Sequence, residues 1–309
     1  MGAYIVRRLV ATVPILLGVS VLVFGILHAV PGDLVRLIAV RESAAITPAQ
    51  EARIRHQLGL DRPLAVQYAG FLGRAAVGDL GRSFYTNRPV AKSVLEQYPA
   101  TLELAGAALV FAVVVGGGLG LAAAVRHNTW IDNAAMVFSL GGLSIPIFWS
   151  GLLLIYLFAV QLRWVPIVGG LGWKALVLPA VTLGYDAAAF IARMVRSSVL
   201  EVLRREYVLI AHAKGLSERT VIFRHVLKAA MIPIVTLIGL HAGRLLGGAV
   251  VVETVFARQG IGRLAVDAVL YKDYFLVQGI VLLAALTYVL LNLAIDVSYA
   301  WFDPRIHYQ

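Results

Sequence analysis

The 309-residue chain has no cysteine, and only 14% of its residues are charged, against about a quarter in an ordinary soluble domain. The first absence excludes disulfides, thiol catalysis and zinc–thiolate sites, and leaves the redox compartment unmarked. Acidic residues are the scarcer sign, 17 against 27 Lys and Arg, for a net charge of +10. A soluble chain this basic would point to nucleic acid. Here the basic residues lie between apolar runs, so membrane topology accounts for them and no nucleic-acid partner is implied. The seven histidines form no cluster with metal-ligand spacing. No nucleophile stands out by its context, so no catalytic residue and no metal ligand is assigned. A phosphate loop of the form Gly-x-x-x-x-Gly-Lys-Ser/Thr is also missing; Lys214-Gly215 lacks that setting. The chain therefore does not hydrolyse ATP itself, and no cofactor is expected on it. Low-complexity linkers and tandem repeats are absent too.

What fills the chain is apolar sequence, 60% of all residues. It falls into six runs: Leu9 to Val30, Leu102 to Val125, Ala134 to Val160, Ala175 to Ile191, Ile232 to Val252 and Phe275 to Tyr299. Crossing the hydrocarbon core takes roughly 20 such residues in a helix. Only helices and closed barrels satisfy their backbone there. Barrel strands would alternate apolar and polar residues in segments of about ten, whereas these runs are continuous. The fold expected is an all-α membrane protein with about six transmembrane helices, treated as one membrane domain over 1–309. Arg7 and Arg8 precede the first run as in a signal peptide, but the run is too long for a signal core, so a retained helix is expected.

Short cytoplasmic loops carry the Lys/Arg excess. Arg7 and Arg8 place the N-terminus inside, and six spans bring Arg305 back to the same side. Arg193 to Lys228 holds eight basic residues against Glu201, Glu206 and Glu218, a net of +5 in a loop expected to be cytoplasmic. The stretch 31–100 is expected outside as a small folded cap. Its nine basic residues do not conflict, because long loops escape the rule. Within it, Ala49 to Leu58 reads as a helix capped by Thr47 with Pro48 at its first position, and Val66 to Val77 as another. The five tryptophans, among them Trp130, Trp164 and Trp173, fall mostly near run ends, where aromatic belts lie.

Lipid gives helices no hydrophobic reason to associate, so small residues matter. Gly239, Gly243 and Gly247 recur every four residues in the fifth run, and Gly116 and Gly120 in the second. They mark close helix contacts or are simply tolerated glycines. Pro146 and Pro233 should kink or bound their helices.

The most informative segment is Glu206-Tyr207-Val208-Leu209-Ile210-Ala211-His212-Ala213-Lys214-Gly215-Leu216-Ser217-Glu218. A helix from about Val199 is expected to stop at Gly215, which takes the left-handed conformation cheaply. Ser217 caps the next helix, with Glu218 in its positive first turn. The result is a short basic knob over 199–228 that suits a groove on a partner.

This segment resembles the cytoplasmic loop of bacterial ABC importer permeases, Glu-Ala-Ala, three residues, Gly, and a later Pro. Ala211, Gly215 and Pro233 match, while Leu209 and Ile210 replace Glu and the first Ala. It is closer to the loop of the dipeptide/oligopeptide branch, Tyr-Val-Arg-Thr-Ala-Arg-Ala-Lys-Gly, where Tyr207, Val208, Ala211, Ala213, Lys214 and Gly215 match and Leu209 and His212 stand in place of Arg. Tyr4 to Leu9, Pro31-Gly32-Asp33, Leu58 to Pro63, Gly78-Asp79-Leu80-Gly81, Gly247 to Glu253 and Asp303-Pro304-Arg305 follow in the branch's order. The resemblance, to the B-type subunit of peptide, glutathione and nickel importers, implies a type I permease bundle. It implies a heterodimer with a second permease, two cytoplasmic ATPase subunits or domains carrying ATP and Mg, an external solute-binding protein, and residence in the bacterial or archaeal cytoplasmic membrane. The segment from Glu206 to Ser217 would be the coupling region that docks on the ATPases, and solute would pass by alternating access. Short peptides are the first cargo implied, with glutathione or nickel chelates as the alternative.

Charges within a membrane are functional hypotheses by default. Asp186 lies in the fourth run, His241 and Arg244 in the fifth. At about 1.5 Å per residue, Asp186 is roughly 15–18 Å and Arg244 roughly 12 Å below the outer surface. They line a solute path or form a structural ion pair. A secondary transporter is the competing class; it would need no ATPase and often carries inverted repeats. A membrane-embedded enzyme would place a nucleophile or ligands in the bundle.

Overall fold

The computed structural model describes residues 2–29, 48–57, 61–166 and 172–302. The Pro31-Gly32-Asp33, Leu58 to Leu60 and Asp303-Pro304-Arg305 motifs, and Thr47, lie outside them. The described residues are helical, with one isolated bridge, Arg82 to Pro89. The helices are α1 (Gly2–Ala29), α2 (Pro48–Gln57), α3 (Leu64–Ala76), α4 (Val90–Val125), α5 (Trp130–Ser144), α6 (Ile147–Gln161), α7 (Trp173–Leu203), α8 (Glu206–Ala213), α9 (Glu218–Val255), α10 (Ile261–Leu270) and α11 (Tyr274–Phe302).

Four of these, α4, α7, α9 and α11, are long and apolar enough to cross a membrane. A fifth span results if α5 and α6 count as one. The expected third run is thus not a straight helix: it bends by 112° between Ser144 and Ile147. Pro146 is the cause. It offers no N–H, and its ring drives the preceding residue out of the helical region; Ile145 is extended, at φ −90° and ψ 123°. In α1 the strongly apolar stretch is short, Val10–Ile26. Pro233, by contrast, lies inside α9, and helical backbone continues on both sides of it.

The chain divides into two compact units. One holds residues 98–263 and 288–309. Its central element is α7, with 61% of its span window buried, against at most 33% in the other three. Leu183, Ala188, Ile191, Val195 and Val199 of α7 meet Leu104, Ala108 and Ala112 of α4 and Ala249 and Val252 of α9 in one core. Gly116 and Gly120 bring α4 against α7 backbone to backbone: a Cβ on either would stand 2.4 Å from the carbonyl oxygen of Ala188 or Ala192. Gly184 meets the Ala108 carbonyl in the same way at 2.5 Å. Gly239 and Gly243 of α9 instead accommodate side chains of α11, Ile295 and Tyr288. Gly247, expected in the same stripe, faces open space. A spacing of four residues drifts by about 40° per step around a helix of 3.6 residues per turn, so the third glycine has rotated away from α11.

A buried acid closes this unit. Glu253 is fully buried, accepts hydrogen bonds from Thr101 Oγ1 (2.6 Å) and the backbone N–H groups of Gly262 (2.8 Å) and Arg263 (3.1 Å), and so caps α10. Its carboxylate sits where the helix N-terminus presents unpaired donors and a positive dipole end.

The other unit holds residues 2–97 and 264–287. Here α1 packs on α3 through Ser20 and Tyr68 (2.8 Å) and through Phe24 against Tyr68 and Phe71. Asp273, also fully buried, accepts from Ser83 Oγ (2.5 Å), the Tyr85 N–H (3.1 Å) and the Leu276 N–H (3.2 Å), capping α11 and holding the 83–85 turn. The helices expected at Ala49 to Leu58 and Val66 to Val77 are α2 and α3, each within two residues of the expected bounds.

Candidate functional site

The knob is built by three local signals. At Arg204 and Arg205 the chain leaves α7, Arg205 being extended at ψ 143°. The single helix expected from Val199 to Gly215 is therefore two, and the break lets α8 turn so that Val208 and Ala211 enter the core beside Val221 and Val226. At the far end Gly215 N–H donates to the His212 carbonyl (2.9 Å) and Leu216 N–H to that of Ala211 (3.3 Å), a Schellman closure. Gly215 has φ +75°, the left-handed region that glycine enters without a Cβ penalty. Ser217 then caps α9: its Oγ accepts from the Thr220 N–H at 3.4 Å and pairs with Thr220 Oγ1 at 2.8 Å. His212 Nε2 lies 2.9 Å from a Glu218 carboxylate oxygen and ties α8 to α9 across the turn.

What this knob exposes is both apolar and basic. Tyr207, Leu209, Ile210, Leu216 and Phe223 are exposed. Glu206, Ala213, Lys214, Gly215 and Ser217 are exposed around them, with Arg204, Arg205, Arg219 and Arg224. Exposed apolar side chains gathered at one place and rimmed by charge mark a contact surface.

Asp186, His241 and Arg244 come together in a cleft of about 310 Å³, lined also by Gly142, Ser150, Thr182 and Tyr185. An Arg244 Nη2 stands 3.9 Å from an Asp186 carboxylate oxygen, with both side chains roughly half exposed. The Arg244 guanidinium lies 5.7 Å from the Phe190 ring centre, and the buried His241 ring sits 4.9 Å from the same ring, tilted by 40°. Gly141 and Gly142 leave room for Tyr185, whose hydroxyl donates to the Phe138 carbonyl at 3.0 Å. The cleft owes its wall to the α5–α6 bend. Gly142, Ser150 and Tyr185 were not expected as lining; the Gly141-Gly142 pair just ahead of Pro146 was the available signal.

A second charge cluster was not foreseen. Asp132, at the start of α5, is buried and takes Arg196 in bidentate fashion, Nε at 2.6 Å and Nη2 at 2.7 Å. The Asn128 N–H (3.0 Å) and His127 Nδ1 (3.0 Å) complete its shell. Arg196 is thus an internal residue of α7 with its charge matched, and not a free member of the basic loop.

The geometry is that of a membrane bundle presenting a contact knob at one end and a charged cleft within. Two family models match: "Binding-protein-dependent transport system inner membrane component" over residues 116–308, and the N-terminal portion of such membrane components over residues 1–105. The chain belongs to this family, the permeases of ABC importers, and is a multi-pass inner-membrane transport subunit that acts with an ATPase partner. Among named relatives, the glutathione transport system permease protein GsiC of Escherichia coli O6:H1 is 44% identical over 306 residues, covering 99% of both chains. GsiC of Salmonella choleraesuis matches to the same extent. Among solved structures, the MetNI methionine ABC transporter in an inward-facing form aligns with a TM-score of 0.55 at 21% identity, over 68% of this chain and 96% of that one. An amino acid ABC transporter aligns at 0.51 and 17% identity, over 69% and 93%. These two carry the fold alone.

Proposed function

We propose that this permease imports glutathione, the alternative cargo of the sequence-based expectation, in place of the short di- and oligopeptides that head it. The observation that carries this reading is the 44% identity, end to end, to permeases of glutathione transport systems. The chain pairs with a second permease subunit, docks two cytoplasmic ATPase subunits or domains that bind ATP and Mg, and receives solute from an external binding protein. It works as one permease domain with six crossings, α1, α4, the bent α5–α6 pair, α7, α9 and α11. Both termini lie inside, and a cap lies outside over 31–100. Exposed Arg7 and Arg8 at the start of α1, and the basic knob, support that orientation. Glu206 to Ser217 form the ATPase-docking region, and Asp186, His241 and Arg244 lie on the solute pathway.

The test is to purify the chain from its native membrane in mild detergent, identify what accompanies it, and rebuild the complex in proteoliposomes. ATP-dependent uptake of labelled glutathione, exceeding that of a tripeptide without a γ-linkage, is the expected result. Uptake without ATPase subunits would instead make the chain a secondary transporter. ATP-driven uptake of other peptides with none of glutathione would return the cargo to the general peptide class.

A further inference from the structure

Among the described residues, two Asp–Arg pairs lie inside the main bundle, and they are built differently. Asp132 and Arg196 are joined by two short hydrogen bonds and further closed by Asn128 and His127; the carboxylate side chain is 3% exposed. That is an ion pair satisfied by its surroundings. Asp186 and Arg244 approach only to 3.9 Å, make no hydrogen bond to each other or to another described group, and are 41% and 58% exposed to a cleft of about 310 Å³. Both lie well inside membrane-crossing helices, 13 residues into α7 and 11 residues before the end of α9. Charges kept at that depth without mutual satisfaction are expensive unless something charged meets them.

The cleft presents one carboxylate and one guanidinium side by side. The complement is an ammonium and a carboxylate side by side, the two groups borne by one carbon of an amino-acid zwitterion. A linear α-peptide does not offer this, because it separates its ammonium from its terminal carboxylate by about 3.5 Å per residue. A γ-glutamyl peptide does: its linkage runs through the side chain and leaves the α-ammonium and α-carboxylate on the same carbon. A volume near the lower end of small-ligand pockets, about 300–1,000 Å³, admits that head group and leaves the rest of the solute in the wider path. Resting on the glutathione reading above, we propose that Asp186 and Arg244 form a subsite for the γ-glutamyl zwitterion. Asp186 meets the ammonium, and Arg244 meets the carboxylate with planar donors suited to it. Phe190 and His241 back the guanidinium and hold it toward the cleft.

The experiment uses the whole complex in proteoliposomes and two isomers with identical atoms and charges. These are γ-Glu-Cys-Gly and α-Glu-Cys-Gly, in which the ammonium adjoins an amide instead of a free carboxylate. Expected is faster ATP-driven uptake of the γ isomer. Arg244→Gln removes the partner of the carboxylate that only the γ isomer carries and should reduce the γ-to-α ratio by at least about tenfold, the worth of one charge-assisted hydrogen bond, whereas Asp186→Asn removes the partner of an ammonium common to both and should slow γ-isomer uptake by a similar factor. The binding protein is the same throughout, so its own selectivity cancels in that comparison. A wild-type complex that imports both isomers equally overturns the subsite, as does an Arg244→Gln variant that lowers both isomers by one factor or leaves both unchanged, or an Asp186→Asn variant that leaves γ-isomer uptake unchanged. Loss of assembled complex in the single variants, with recovery in the charge-exchanged Asp186→Arg, Arg244→Asp double variant, would make the pair a structural tie and also overturn it. If the wild-type complex shows no ATP-driven uptake of either isomer, the transport reading itself fails.

Discussion

Gly215 offers the cleanest quantitative test of the knob. Its φ of +75° lies where a residue with a Cβ is strained, and nothing stands within 4 Å of a Cβ built there. A substitution therefore acts through backbone strain alone, without lost or clashing contacts. For an ordinary L-residue that strain is about 1–2 kcal/mol; asparagine, which enters this region readily, escapes most of it. Gly215→Ala should cost about 1 kcal/mol, and Gly215→Val more because of its branched Cβ. The hydrogen bonds at risk are those from Gly215 and Leu216 into the last turn of α8. Local opening should rise about fivefold for alanine, read as faster hydrogen exchange of the amides of residues 214 to 216, with distant amides of α7 unchanged. With α8 carrying the docking surface proposed above, solute moved per ATP hydrolysed should fall in the order Gly, Asn, Ala, Val. Equal exchange in glycine and valine forms, or an asparagine form worse than alanine, would refute the reasoning.

Four further outcomes follow from the packing, the charges and the exposed surface. Gly116→Ala drives a methyl against the Ala188 carbonyl, and neither backbone can yield cheaply, so thermal stability in detergent should fall by about 1–3 kcal/mol. Gly247→Ala, with open space around it, should leave stability unchanged. Asp132→Asn leaves the Arg196 guanidinium without its counter-charge and should cost about 3 kcal/mol, the lower end for a broken buried pair because Arg196 is a quarter exposed; adding Arg196→Met should recover part of the loss in a melting assay. Leu209→Asp and Ile210→Asp lie on exposed positions, so the permease should fold normally while its co-purification with ATPase subunits drops by about tenfold or more.

Features set by neighbouring residues were legible in the sequence. The Gly215 stop and the Ser217 cap need only a few adjacent residues, and both form as expected. The Gly116–Gly120 spacing was readable because one helix face suffices to present it, although the partner, α7, was not. Pro146 announced a break, but the 112° bend depends on what α5 and α6 pack against. The Asp132–Arg196 pair was hidden because its members are 64 residues apart and Arg196 sits in a stretch whose other basic residues suggested a solvated loop. That Glu253 caps α10 was not legible, because it depends on a chain reversal of nine residues to Gly262. Gly247 shows the opposite error, a regular pattern extended one step beyond the surface it served.

Helix α7 passes from the cleft to the knob without a proline or other break after Pro179. From Asp186 to Leu203 that is roughly 26 Å of continuous helix at about 1.5 Å per residue. Gly116 and Gly120 clasp this length near Ala188 and Ala192, the point at which a rigid helix would pivot. The clasp lies far closer to Asp186 than to the knob, so under the docking and pathway roles proposed above the arms would be unequal: a large excursion at the knob would become a small, forceful one at the charged cleft. A lever of that form would trade travel for force.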